Sequence, residues 1–217
     1  MSIAPDDKFT SPDTPAVAAR IMSAFAVRTG LVGASHQCRR YLWTDAFAVC
    51  NFIELYRRTG DQNYGRRAIE LIDQVHSVLG RYRENDLRHG WISGLDDEIG
   101  RHHPTAGGLR IGKPLKERDA GEPFNEQLEW ERDGQYFHYL TKWMHALCAA
   151  ANLIGDAARW AVELASAAFD GFARKSQSGQ VLRSAMGPRS RRSSCSTRSP
   201  TPRCRPAPTR SLPKAHG

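Results

Sequence analysis

Residues 128–147 of this chain gather Glu129, Glu131 and Asp133, His138 and His145, and a series of aromatic rings beginning at Trp130. Sugar sites are built from such parts. Aromatic faces stack on pyranose C–H surfaces, while carboxylates accept hydroxyl hydrogen bonds and exchange protons. Asp133 stands at the start of an expected helix, where the macrodipole favours the anion and suits it to a base or nucleophile. Glu129 and Glu131 lie farther into the preceding loop, where burial would be needed to make either a proton donor. The same residues also read structurally, with Tyr136, Leu140, Trp143 and Leu147 as a core stripe and the acids as ordinary charges near a helix start.

Further candidates lie earlier in the chain. Asp45, in Tyr41-Leu-Trp-Thr-Asp45, falls on the flank of an otherwise apolar helix and needs either a structural partner or a functional pocket. Asp96-Asp97-Glu98 with His102-His103 has metal-ligand residue types, but adjacent residues seldom aim at one ion, so no metal and no cofactor are expected. The stretch Gly107-Gly108-Leu-Arg-Ile-Gly112-Lys113 lacks the spacing of a phosphate loop. It is a loop in which Arg110 or Lys113 could meet a polar or anionic ligand group. No nucleophile-elbow or cysteine-protease signature is present.

The elements that must position these residues are helices. Thr14-Pro15 opens a short one, with Val17, Ile21, Ala24 and Phe25 at helical spacing. A second, starting between residues 35 and 40 and running to Thr59, carries Leu42, Ala46, Val49, Cys50, Ile53 and Tyr56. Gly60 suits the position after a helix end, and Asp61 can cap a third helix over residues 62–79. Two helices joined so tightly form an antiparallel αα-hairpin. The pattern returns with helices expected over residues 134–153 and 157–172, around Gly155-Asp156 as a matching turn. Between the pairs, residues 81–133 are rich in Gly, Pro, Arg and His and show no long period. A connection of that length is usually functional.

Beyond residue 173 the composition changes. Residues 174–217 contain eleven Lys or Arg, nine Ser, six Pro, no acid and no aromatic ring, and this basic tail is expected to be disordered. Removing those eleven from the chain's 31 basic residues leaves 20 against all 23 acids, so the body is slightly acidic although the whole chain carries +8. A tail without aromatics would bind nucleic acid only through charge, so no nucleic-acid partner is expected. The odd count of five cysteines without zinc-type spacing suggests reduced, mostly buried thiols and a cytoplasmic protein. The start of the chain lacks an apolar run ahead of its first charges, and no stretch is apolar enough to span a membrane.

The wording Trp43-Thr-Asp-Ala-Phe47 through Tyr56-Arg-Arg-Thr-Gly-Asp61, together with residues 128–156, resembles the helical hairpins of the six-hairpin glycosidase-like superfamily. That superfamily includes (α/α)6 glycoside hydrolases and sugar 2-epimerases. The resemblance covers residues 36–173 and implies an all-α fold of stacked αα-hairpins, a partial (α/α)6 toroid, with a carbohydrate ligand at its centre. On that reading residues 1–13 are a flexible start, 14–173 the helical domain, and 174–217 an irregular tail that a shift of reading frame would explain. Asp45, Glu129, Glu131 and Asp133 would do proton work on a glycosidic bond. Trp43, Trp91 and Trp130 would stack on sugar, and Arg110 and His138 would supply polar contacts. An epimerase would rely more on His138. A non-catalytic scaffold binding a protein partner along stacked hairpins is the other class, and exposed helix faces leave room for oligomers.

Overall fold

The computed structural model describes residues 14–33, 38–118, 121–175 and 181–183. Helices dominate them. They are α1 (Thr14–Arg28), α2 (Leu42–Thr59), α3 (Gln62–Leu79), α4 (Asp97–His102), α5 (Glu126–Glu129), α6 (Phe137–Ala150) and α7 (Ala157–Phe172). Two three-residue strands, β1 (Ala173–Lys175) and β2 (Val181–Arg183), pair antiparallel. Regular structure therefore continues past residue 173, where the sequence suggested that it stops. Expectations for residues 1–13, 176–180 and 184–217 lie outside the described residues. Among the described residues no helix is long and apolar enough to cross a membrane.

α2 and α3 form the first hairpin and α6 and α7 the second, with α2 packed against α6 and α1 against α2. The apolar spacing explains the arrangement. Phe52, Val49 and Leu42 of α2, Leu71, Ile72 and Val75 of α3, and Leu140, Trp143 and Leu147 of α6 are fully buried in one continuous core. Burying a side chain of this size contributes about 1.5–3 kcal/mol. The turn after α2 behaves as the sequence requires: Gly60 adopts a left-handed conformation (φ 70°), its N–H bonds to the Tyr56 carbonyl, and Asp61 caps α3 by accepting from the Asn63 N–H at 2.9 Å.

Three sequence expectations are corrected. Gly155-Asp156 does not repeat that turn: α6 ends near Ala151 in right-handed geometry, and Asp156 forms an ion pair with Arg159 in place of a cap. α1 is rotated about its axis, so that Met22, Phe25 and Ala26 face the core while Val17 and Ile21 are exposed. At this face α1 packs on α2, where Phe25 meets Phe52 edge to face, and that contact sets the rotation. Cys38 and Cys148 are exposed rather than buried, and Cys50 is half-buried.

His76 joins the two hairpins inside the core. It is 4% exposed, accepts a hydrogen bond from the Trp143 indole N–H at 3.2 Å, and meets the Trp160 ring edge to face. Its burial holds the imidazole neutral, with the pKa lowered to about 3.

Candidate functional site

Apart from the short helices α4 and α5, the described residues of 81–133 run outside regular elements and are stitched to the ends of the long helices by backbone bonds. The Arg110 N–H bonds to the Leu79 carbonyl, the Leu42 N–H to Ile111, and the Ile92 N–H to Gly80, each within 2.9–3.0 Å. The loop thereby covers the C-terminal end of α3 and the N-terminal end of α2. Gly112 is required where it approaches α2: its φ is 87°, and a Cβ there would collide with the Arg40 carbonyl.

Asp133 is the hub of this loop. Only 1% exposed, it accepts from the Gly112 N–H at 2.8 Å and from the Gly134 N–H at 3.0 Å. It also pairs with Arg110 and, at 3.3 Å, with Arg83. Arg110 in turn donates to the carbonyls of Arg81 and Val78, and Arg83 to those of Lys113 and Pro114. These donors leave Asp133 little capacity for a ligand and make it the fastener of the loop.

Asp45 is similarly enclosed. It accepts from the Tyr41 N–H at 3.0 Å, which closes the first turn of α2, and lies 3.8 Å from the buried Arg40 guanidinium. Burial outweighs both of these favourable partners and raises its pKa to about 6. Arg40 donates to the Thr29 carbonyl at 2.5 Å, tying α2 to the end of α1.

Between this stitched loop and the start of α2 lies an open cleft of about 1140 Å³. Tyr41 and Tyr82 supply its aromatic walls, and Glu84 and Glu131 are the carboxylates it presents. Arg81, which contributes to the wall, pairs with Asp97 at 2.6 Å. Lys113 lies over the Tyr41 ring, with Nζ 5.7 Å from its centroid. The Tyr41 hydroxyl hydrogen-bonds that of Tyr139, and burial together with this bond pushes its pKa up, so the phenol stays protonated.

Of the residues singled out from sequence, the structure brings Trp43 and His138 together. They form an aromatic shelf with Tyr139, at ring-centroid distances of 5.9 Å (Trp43 to His138) and 5.2 Å (Trp43 to Tyr139), and Tyr41 joins it to the cleft. Partial burial lowers the His138 pKa, favouring a neutral imidazole near neutral pH. Glu131 stands on the cleft wall, whereas Glu129 is drawn into ion pairs with Arg118 at 3.0 Å and Arg132 at 3.3 Å. Trp91 is buried beneath the Arg81 guanidinium and against Gly100, where a Cβ would strike its ring. Trp130 is 73% exposed on the outer loop after α5. Asp96 caps α4, and Asp97 binds Arg81 and Arg101. Among the described residues no three His, Cys, Asp or Glu side chains converge as a metal site would require.

Sequence reasoning missed Tyr82, Asp86, Glu117 and Gln135, which border the cleft or a pocket opening beside it. Lys116-Glu117-Arg118 reads as a solvated charge run, and nothing local marks Glu117 as partly enclosed. No family model, curated protein or solved structure matches the chain.

Proposed function

We propose that this chain is a carbohydrate-active protein that binds sugar in the cleft between α2 and the 81–133 loop and acts on glycosidic bonds by carboxylate acid/base chemistry. The observation that carries the reading is that Tyr41 and Tyr82 line the same cleft as the carboxylates Glu84 and Glu131. Stacking would position a pyranose, and the carboxylates would take the two roles that glycoside cleavage requires: one proton donor to the leaving oxygen, and one base or nucleophile at the anomeric carbon. Trp43 and His138 extend the aromatic surface away from the cleft. No cofactor is needed for such a reaction.

On the same proposal the two hairpins are neighbouring units of an (α/α) toroid, with α2 and α6 as adjacent inner helices and α3 and α7 outside. Contact of α2 with α6 supports this, as do exposed apolar side chains at both outer flanks: Ile21 and Val27 on α1, and Val162 and Phe169 on α7. Further hairpins of a ring would cover such faces.

The test is a calorimetric titration of the full chain with a panel of neutral and acidic oligosaccharides. At least one should bind, and Tyr82→Ala should weaken it by about tenfold, the loss expected for one aromatic stacking surface. Glu131→Gln should keep the affinity within about threefold while lowering any hydrolysis by about 100-fold or more. Equal affinity in wild type and Tyr82→Ala, or no binding across the panel, would count against the cleft as a sugar site.

A further inference from the structure

The cleft wall is unequally charged. Arg39, Arg40, Arg81, Arg83, Arg110 and Lys113 line it, against the carboxylates Glu84 and Glu131. Four of the guanidinium groups have acidic neighbours: Arg81 pairs with Asp97, Arg83 and Arg110 share Asp133, and Arg40 lies 3.8 Å from Asp45. With those three acids counted, six cations still stand against five carboxylates. The Tyr41 phenol, kept protonated, adds no charge. Glycoside cleavage needs one of the two cleft carboxylates to carry a proton, which widens the excess of positive charge.

Lys113 is the cation best placed to use that excess. Among the described residues its ammonium forms no ion pair, and the Tyr41 ring beneath it answers the charge while leaving its N–H donors for another acceptor. The backbone that carries it is already fixed. The Gly112 N–H donates to Asp133 at 2.8 Å, and the carbonyls of Lys113 and Pro114 accept from Arg83 at 2.5 and 2.8 Å. A ligand group taken up by Lys113 therefore has no loop to order.

The arrangement recurs on α6. Lys142 is exposed, its Nζ lies 5.7 Å from the centroid of the Trp43 ring, and it too forms no ion pair among the described residues. The aromatic surface that runs from Tyr41 through Tyr139 to Trp43 thus carries an ammonium group at either end. A neutral sugar offers these groups little that water does not. An anionic substituent gives them charge-assisted hydrogen bonds.

We propose that the cleft takes acidic carbohydrate, a pyranoside bearing a carboxylate or a sulfate ester, with its ring against the tyrosine walls and its anionic group on the Lys113 ammonium. The assignment rests on the reading of the cleft as a sugar site and narrows it to a substrate class. Lys142 extends the same preference to an acidic unit bound farther along the shelf.

The experiment is an NMR titration of the full chain with methyl hexosides of gluco and galacto configuration, each as the parent sugar, the uronide, the 6-sulfate and the uronamide, which keeps the shape of the uronide without its charge. Inorganic phosphate is the free-anion control. In at least one configuration the uronide or the sulfate should shift the Tyr41 ring and bind about tenfold or more tightly than the parent sugar and the uronamide. Lys113→Met, which keeps the length of the stem and removes the charge, should cut that advantage to less than about threefold and leave the affinity for the parent sugar within about twofold. Charged and neutral sugars binding alike overturns the acidic class and leaves the cleft reading standing. A charge preference that survives Lys113→Met, or phosphate binding as tightly as the charged sugars, also overturns the proposal. Binding by none of the sugars overturns it together with the cleft reading. Should Lys113→Met fail to fold, salt decides on the wild-type chain: the advantage of the charged sugar should fall by about threefold or more between about 20 and 500 mM, and an advantage indifferent to salt overturns the proposal.

Discussion

Replacing Asp133 with alanine should destabilise the protein by about 3–5 kcal/mol, the scale expected when one member of a buried charged network is removed. The loss arises because Arg110 and Arg83 keep their charges inside the loop while the Gly112 and Gly134 N–H groups lose their acceptor. These partners lie as far as fifty residues away in sequence, so one substitution releases contacts along the whole 81–133 segment. Urea unfolding would show the lowered midpoint, and within residues 38–173 limited trypsin digestion should cut faster than in wild type inside that segment while α2, α3, α6 and α7 stay protected. Asp133→Asn, which keeps one acceptor oxygen, should fall between the two. A loss below about 1 kcal/mol for the alanine variant would mean that the backbone bonds to Leu79, Ile111 and Gly80 hold the loop without Asp133.

A second large effect concerns acid. His76 is buried and neutral, with its pKa lowered to about 3 from the ordinary 6.5. The unfolded chain therefore takes up a proton below pH 6.5 that the native state refuses until about pH 3. Its contribution to stability is complete well above pH 6.5 and declines as pH falls through that window, approaching about 1.4 kcal/mol per pH unit. Asp45 acts in the opposite sense. Its pKa is raised to about 6 by burial, so between pH 6 and its ordinary value near 3.8 the native state is the better proton acceptor and gains stability as pH falls. The two partly cancel in the wild type, and the His76 effect must be read as a difference. His76→Gln keeps an acceptor for the Trp143 indole. Wild type measured against this variant should lose about 2 kcal/mol of relative stability between pH 6.5 and 5. A pH-independent difference would show that His76 titrates in the native core as it does in water.

The helices were legible because their information is local. The spacing of Ala68, Leu71, Ile72, Val75 and Leu79, with Asp61 before and Gly80 after, gives α3 the bounds observed. His76 shares that apolar face, one turn beyond Ile72 and three residues before Leu79, and its position was the available sign that it is a core residue. The α1 rotation was not legible, since both candidate faces are apolar and a tertiary contact with Phe52 selects one. The loop was hidden for a different reason. Asp133 looked like a charge preceding a helix, but its role depends on Arg83, Arg110 and Gly112, which no period in the sequence relates to it. Trp43, His138 and Glu131 were singled out by residue type, and the structure sets Trp43 beside His138 and Glu131 on the cleft. The pocket residues Asp86, Glu117 and Gln135 required the fold, because each is ordinary within its own segment.

The most direct measurement is a crystal structure of the full chain with an oligosaccharide bound at saturating concentration. A pyranose ring stacked on Tyr41 or Tyr82, with its hydroxyl groups within hydrogen-bond distance of Glu131 or Glu84, is the expected result. Sugar bound only outside this cleft, or a cleft occupied by solvent alone at saturation, would contradict the assignment of the cleft as the carbohydrate site.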